Sequence, residues 1–176
     1  MIGLAATLAF FAFFWTLRGK LNMMGLEYAR WNCTSSVFLV RAIALGVAAA
    51  GSVAWWFHNH DLGAAPAFAQ LWIGITWGPL IEEVIFRGYL FSILEDLLGR
   101  WMPSPGWLTV IGVAAVFALG HLVKTGITPA QIATIFVTGM IYGWLRLDSG
   151  SSVPSVCSHI SYNSMIYLVA VLRHQW

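Results

Sequence analysis

An all-α bundle of about six membrane-spanning helices (five to seven) is the fold class this sequence predicts, on three observations. Hydrophobic residues make up 59% of the 176-residue chain and charged residues only 9%, against roughly 25% charged in an ordinary soluble protein. The apolar residues gather into six blocks with short connections between them, and a spanning helix needs about 20 such residues. Ten tryptophans suit interfacial belts better than a soluble core of this size. The net charge of +2 comes with no Lys/Arg cluster, so no phosphate-binding stripe forms and nucleic acid is not an expected partner. Cys33 and Cys157 make neither a disulfide framework nor a CxxC motif.

The blocks run Ile2–Leu17, Val37–Phe57, Ala65–Leu98, Trp107–Val123, Pro129–Leu147 and Val153–Leu172. The first has no basic residues before it and no Ala-x-Ala cleavage pattern, which favours a retained anchor over a cleaved signal peptide. The second tolerates Arg41 near one end, where a long side chain can snorkel to the headgroups. The third is too long for one span: as a continuous helix it would reach roughly 50 Å against a hydrocarbon core of ~30 Å. Gly78-Pro79 supplies a break, because proline lacks the helical donor but suits a first turn. Ala65–Trp77 is therefore expected to be interfacial or re-entrant and Leu80–Leu98 to be the span. Glu82 and Glu83 then fall in its first turns, where the macrodipole favours anions. In the fifth block Gly139 and Gly143 form a GxxxG pair, read as a helix-packing face. With six spans, Arg18, Lys20, Arg30, Arg100 and Arg146 lie on one side and Lys124 and Arg173 on the other, which puts both termini outside. Residues 1–64 read as N-terminal anchor helices and residues 65–176 as the chemistry-bearing bundle.

Three patterns carry nearly all the polar chemistry within these blocks. The first is Glu82-Glu83 with Arg87. An ionisable residue inside a membrane segment is by default a functional-site hypothesis. Glu83 and Arg87 stand at i, i+4 and can pair on one helix face, whereas Glu82 points about 100° away from Glu83 and is left free. A buried charge cluster that holds helices together would account for Glu83 and Arg87, but not for Glu82. The second pattern is Phe117 and His121, at a block end near Lys124; alone, such a histidine could be merely interfacial. The third is His159 and Asn163, again at i, i+4, for which interhelical hydrogen bonding is the plain alternative. Together the three supply a carboxylate, two imidazoles and a carboxamide from three spans. Glu and His can share deprotonation of water, while His and Asn can donate to a developing oxyanion.

Glu-Glu-x-x-x-Arg, Phe-x-x-x-His and His-x-x-x-Asn, in that order on hydrophobic helices, resemble the CAAX protease and bacteriocin-processing family, also called Abi-domain proteins or glutamic intramembrane proteases. The resemblance spans Glu82 to Asn163. It implies that Glu82 and His121 activate the hydrolytic water, that His159 and Asn163 form the oxyanion site, and that Glu83 and Arg87 orient the first motif, with Phe117 in support. It implies no cofactor and no metal. The expected partners are the lipid bilayer and a membrane-anchored or lipid-modified protein or peptide, cleaved near its C-terminus. The allowed substrates are a prenylated protein, a secreted peptide and a C-terminal sorting helix. The expected location is a cell membrane, multi-pass and prokaryotic. The chain departs from the family's prenyl-protein endopeptidases in having about six spans rather than eight.

Four other readings remain at this stage. A zinc hydrolase could use Glu and His as ligands, but there is no His-Glu-x-x-His helix, and an adjacent arginine suits a cation poorly. Cys157 and His159, at i, i+2, face different directions on a helix. A non-catalytic membrane scaffold or immunity protein could share the fold. A proton-relaying transporter is the last, without the paired broken-helix repeat expected of one. The geometry also carries a tension. Glu82 and His121 sit towards one membrane face and His159 towards the other, a mismatch of roughly 10–15 Å for straight helices.

Overall fold

The computed structural model describes residues 29–32, 34–58 and 71–174. The block Ile2–Leu17, the residue Cys33 and positions 65–70 of the expected re-entrant piece lie outside them. Among the described residues every regular element is helical. α1 is Ser36–Trp56 and α2 is the unbroken helical run 71–99. α3 is Gly106–Gly120, extended by a 3₁₀ turn at His121–Val123. α4 is Pro129–Ser149 and α5 is Val153–His174.

The bundle is apolar outside and, beside an apolar core of Phe91, Val110 and Val113, encloses many polar and charged groups. Val37, Val40, Ile43, Ile81, Ile85, Ile111 and Val137 are exposed, while Glu83, Arg87, Thr109, Arg146, Ser152, Ser155 and Ser158 are buried. In water that distribution is unfavourable; against lipid tails it is the stable one, and the protein is an integral membrane protein. Three helices are long and apolar enough to cross a membrane: Ser36–Trp56, Gly106–Val123 and Val153–Arg173. The six expected spans are therefore not reached among the described residues. α2, with Glu82, Glu83 and Arg87, and α4, with Arg146 and Asp148, are not among the three; their charged residues lower the hydropathy of both.

α1 packs chiefly along α5 through a small-residue stripe of Ala42, Gly46, Ala50 and Ala54, one per turn. Gly46 is required there: a Cβ would lie 2.2 Å from the Ser158 carbonyl oxygen. Arg41 does more than reach the headgroups. It pairs with Asp148 of α4 at 2.8 Å and lies 4.3 Å over the Trp144 ring.

α4 is fixed at both ends by its sequence. Thr128 accepts from the Gln131 backbone N–H at 3.2 Å and Gln131 Oε1 accepts from the Thr128 N–H at 2.8 Å. This reciprocal cap, followed by Pro129 in the first turn, stabilises a helix start by typically ~1 kcal/mol. Gly150, at φ +67°, ends α4 in the left-handed region, its N–H donating to Arg146 O at 3.0 Å in the manner of a glycine stop.

α2 corrects the sequence reading most. Gly78-Pro79 does not break it. Two π-helical stretches, Ile73–Trp77 and Val84–Leu90, flank the α-helical Gly78–Glu83. The wider π turn absorbs the proline: the Gly78 N–H reaches back five residues to Ile73 O. In that register the Gly74 carbonyl would need an N–H from Pro79, which has none. Asn163 of α5 supplies it, Nδ2 donating to Gly74 O at 2.8 Å. The second π stretch is clipped by α4, where Arg146 Nε donates to Arg87 O at 3.0 Å. Glu82 and Glu83 therefore sit in the interior of a long helix rather than in its first turns. π turns inside α-helices are frequent at functional sites.

Candidate active site

Glu83 and Arg87 lie on the dry side of α2, both fully buried, with Arg87 Nη1 donating to Glu83 Oε1 at 3.1 Å. Arg87 Nη2 donates to Gly139 O of α4 at 3.0 Å. The guanidinium is 4.4 Å over the Phe117 ring and 5.3 Å over that of Tyr142, so it is held by an anion, a carbonyl and two π faces. Gly139 permits this approach, because a Cβ there would come within 3.2 Å of Arg87 Nη2 and 3.3 Å of Phe117 Cδ1. The GxxxG glycine expected to serve packing alone thus also gives Arg87 access to backbone.

His159 of α5 joins the same carboxylate, Nδ1 lying 2.9 Å from Glu83 Oε1. A carboxylate only accepts, so this contact puts the ring proton on Nδ1 and leaves Nε2 unprotonated in the neutral imidazole. Nε2 is 3.9 Å from Glu82 Oε2, too far for a direct hydrogen bond. His159 is buried and stacks on Tyr142 at 4.7 Å and 20°. The expected mismatch in depth between Glu82 and His159 does not exist. It assumed that the helix starts at Leu80, whereas α2 begins before Ile73 and carries Glu82 to the level of His159.

Glu82 differs from its neighbour in having no arginine and a side chain that is 34% exposed. It lines a pocket of about 240 Å³ together with Phe117, His121, His159 and Asn163. His121 stands at the start of the 3₁₀ turn that ends α3, Nδ1 lying 2.8 Å from Phe117 O. A carbonyl only accepts, so Nδ1 carries the proton here too and Nε2 is the free nitrogen. The Phe117 ring meets His121 edge-on at 4.7 Å and His159 at 6.0 Å, and so spaces the two imidazoles. Glu82 makes no ion-pair contact with His121; its neighbour within 4.0 Å is His159.

The structure thus brings Glu82, Phe117, His121, His159 and Asn163 to one pocket, with Glu83 and Arg87 directly behind it. His159 and Asn163 both line that pocket, each with one donor already engaged and Asn163 with a second amide N–H to spare. One amide N–H of Asn163 is bound to Gly74 O and the protonated nitrogen of His159 is bound to Glu83. Sequence reasoning missed Tyr142 altogether. It lines the pocket, is 2% exposed, and its Oη, like Glu83 Oε2 and Arg87 Nε, has no hydrogen-bond partner among the described residues. A buried polar atom left so costs roughly 1–3 kcal/mol. Its only sequence signal is a hydroxyl in an apolar block, one turn beyond Thr138.

Residues 64–165 match the model of the Rce1-like family, described as type II CAAX prenyl endopeptidase Rce1-like. The match covers more than half of the chain and includes every residue of the three motifs. The chain belongs to this family. No curated protein and no solved structure matches it. As a member of the Rce1-like family, it is a protein of the CAAX endopeptidase class, and its setting is a membrane and its substrate a peptide or protein.

Proposed function

We propose that the protein is a glutamic-type intramembrane endopeptidase that cleaves near the C-terminus of a membrane-associated protein or peptide, with residues 65–176 as the catalytic unit. One observation carries this reading. In an apolar bundle, an unpaired and partly exposed carboxylate, Glu82, shares a pocket with two histidines whose Nδ1 protons are both committed elsewhere. Free Nε2 nitrogens beside an uncompensated carboxylate are acceptors, which is what deprotonation of water requires.

In this mechanism Glu82 takes a proton from the attacking water, assisted by His121, and the water oxygen bonds to the scissile carbonyl carbon. The C–N bond then breaks and the proton passes to the leaving amine. Glu83 and Arg87 act through His159: the buried pair fixes the imidazole's tautomer and position. Membership of the Rce1-like family makes a prenylated cysteine near a free C-terminus the first substrate to test.

The test uses purified protein in lipid nanodiscs with an S-farnesyl peptide carrying three residues beyond the modified cysteine, its products identified by mass spectrometry. A single cut after that cysteine in wild type, unaffected by EDTA or phenanthroline and lost in Glu82→Gln, is the expected result. Activity lost on chelation and restored by zinc would replace the glutamic mechanism with a metal-dependent one.

A further inference from the structure

We propose that Lys124 fixes the length of peptide that leaves the site, its ammonium pairing with the free C-terminal carboxylate of the substrate. This role rests on the endopeptidase reading above and adds a specificity-determining residue to it. Lys124 lines the pocket together with Glu82, and it is the one Lys or Arg on the pocket walls among the described residues. Its side chain is exposed and makes no ion pair among the described residues. The pocket therefore carries an unpaired cation as well as an unpaired carboxylate.

The two charges stand at opposite ends. Glu82, Tyr142 and Phe117 gather round the His159 ring at 3.9, 4.7 and 6.0 Å, and these four residues form the inner end. Each helix then runs outward: α2 and α5 to the Gly74–Asn163 hydrogen bond, α4 back to Ile135, and α3 through its 3₁₀ turn to Lys124. From Phe117 to Lys124 the rise of those turns is roughly 10–12 Å. An extended chain covers about 3.3 Å per residue, so that distance holds about three residues. The outer end has room for them, since a Cβ on Gly74 would meet nothing within 4 Å. Polarity sets the direction as well. A terminal carboxylate is repelled by Glu82 and attracted by Lys124, which turns the chain end outward and the scissile bond inward. An internal segment of a longer chain brings no anion to that point. The plain alternative is a lysine that reaches lipid headgroups from a helix end, and it predicts no preference for a free chain end.

The test uses S-farnesyl peptides with three or six residues beyond the modified cysteine, each as the free acid and as the C-terminal amide, in nanodiscs of neutral lipid. Wild type should cut the three-residue acid on the order of tenfold more efficiently than its amide in kcat/KM, the weight of one hydrogen bond to a charged group. The difference should lie mainly in KM, because the carboxylate is held alike in the ground and transition states. With six residues the chain end passes the lysine, and the acid–amide ratio should fall to within about twofold of one. Lys124→Ala should abolish the preference at three residues, and Lys124→Arg, which keeps the charge, should retain it. Each ratio compares two substrates on one sample, so it is independent of the folded fraction. Equal cleavage of acid and amide by wild type overturns the role of Lys124 and leaves the endopeptidase reading standing. A preference that persists in Lys124→Ala, or that is the same at both lengths, overturns it as well. Wild type that cuts none of the four peptides overturns the prenyl-peptide reading, and the role of the lysine with it.

Discussion

The two faces of α2 at Glu82 and Glu83 are built by opposite rules. On the dry face, Glu83 is fully buried and shared between Arg87 and His159, and the arginine is closed in by Gly139 O and two aromatic rings. On the pocket face, Glu82 is one-third exposed, unpaired by any cation at hydrogen-bond distance, and 3.9 Å from a histidine nitrogen. On the proposed mechanism, adjacent residues divide two tasks that one carboxylate cannot perform together. A carboxylate that neutralises a buried arginine cannot give up its charge without leaving that arginine uncompensated. A carboxylate that must gain and lose a proton has to be free of such a partner. His159 links the faces, Nδ1 on the buried carboxylate and Nε2 towards the pocket one.

The sharpest way to break this comparison is to damage the dry face. Glu83→Gln and Arg87→Ala each leave a buried group without its partner, and removal of one member of a buried pair typically costs ~3–5 kcal/mol. Both variants should show a large drop in thermal midpoint and in the yield of folded protein. If both melt like wild type, the pair is not what holds α2 to α4 and α5.

A smaller effect is expected from Gly139→Ala. The added methyl meets Arg87 Nη2 at 3.2 Å and Ala114 Cβ and Phe117 Cδ1 at 3.3 Å, a modest overpacking of about 1–3 kcal/mol. Because the same methyl presses on the Arg87–Phe117 contact, turnover per folded molecule should fall with stability. A neutral Gly139→Ala would mean that the α2–α4 contact is looser than these distances imply.

Asn163→Ala sharpens the comparison from the other side, since Asn163 lines the pocket yet also spans to the π stretch of α2. Loss of the Gly74 bond should cost about 0.5–1.5 kcal/mol in a thermal or denaturant melt. Turnover should fall less than tenfold, because that N–H is occupied in the resting structure. A loss of 10²–10³-fold at unchanged stability would instead mark Asn163 as an oxyanion donor.

The apolar periodicity placed α1, α3, α4 and α5 closely: Val37–Phe57 against Ser36–Trp56, and Val153–Leu172 against Val153–His174. The pairing of Glu83 with Arg87 was equally accessible, because i, i+4 spacing on one helix needs no tertiary knowledge. α2 was not legible in the same way. Proline signals a break by its missing donor, and whether a π turn absorbs that loss depends on Asn163, 89 positions from the Gly74 carbonyl that it caps. The depth of His159 was misjudged for the same reason, since it depended on where α2 begins. Tyr142 had no pattern to betray it: an aromatic in an apolar block reads as core until its neighbour in space is known to be His159. In a regular α-helix Pro79 would orphan the carbonyl four residues back, that of Ile75; that the orphan is Gly74 instead follows only from the π register.

The division between the faces is tested most directly by one paired measurement. Glu82→Gln and Glu83→Gln proteins are compared in the same nanodisc assay, with kcat expressed per folded molecule and the thermal midpoint taken on the same sample. The account predicts that Glu82→Gln melts like wild type and loses on the order of 10²–10⁴-fold in kcat, the range for a general base, while Glu83→Gln loses stability first. A Glu82→Gln protein that is unstable, or stable and still active, would contradict the assignment of the chemistry to Glu82.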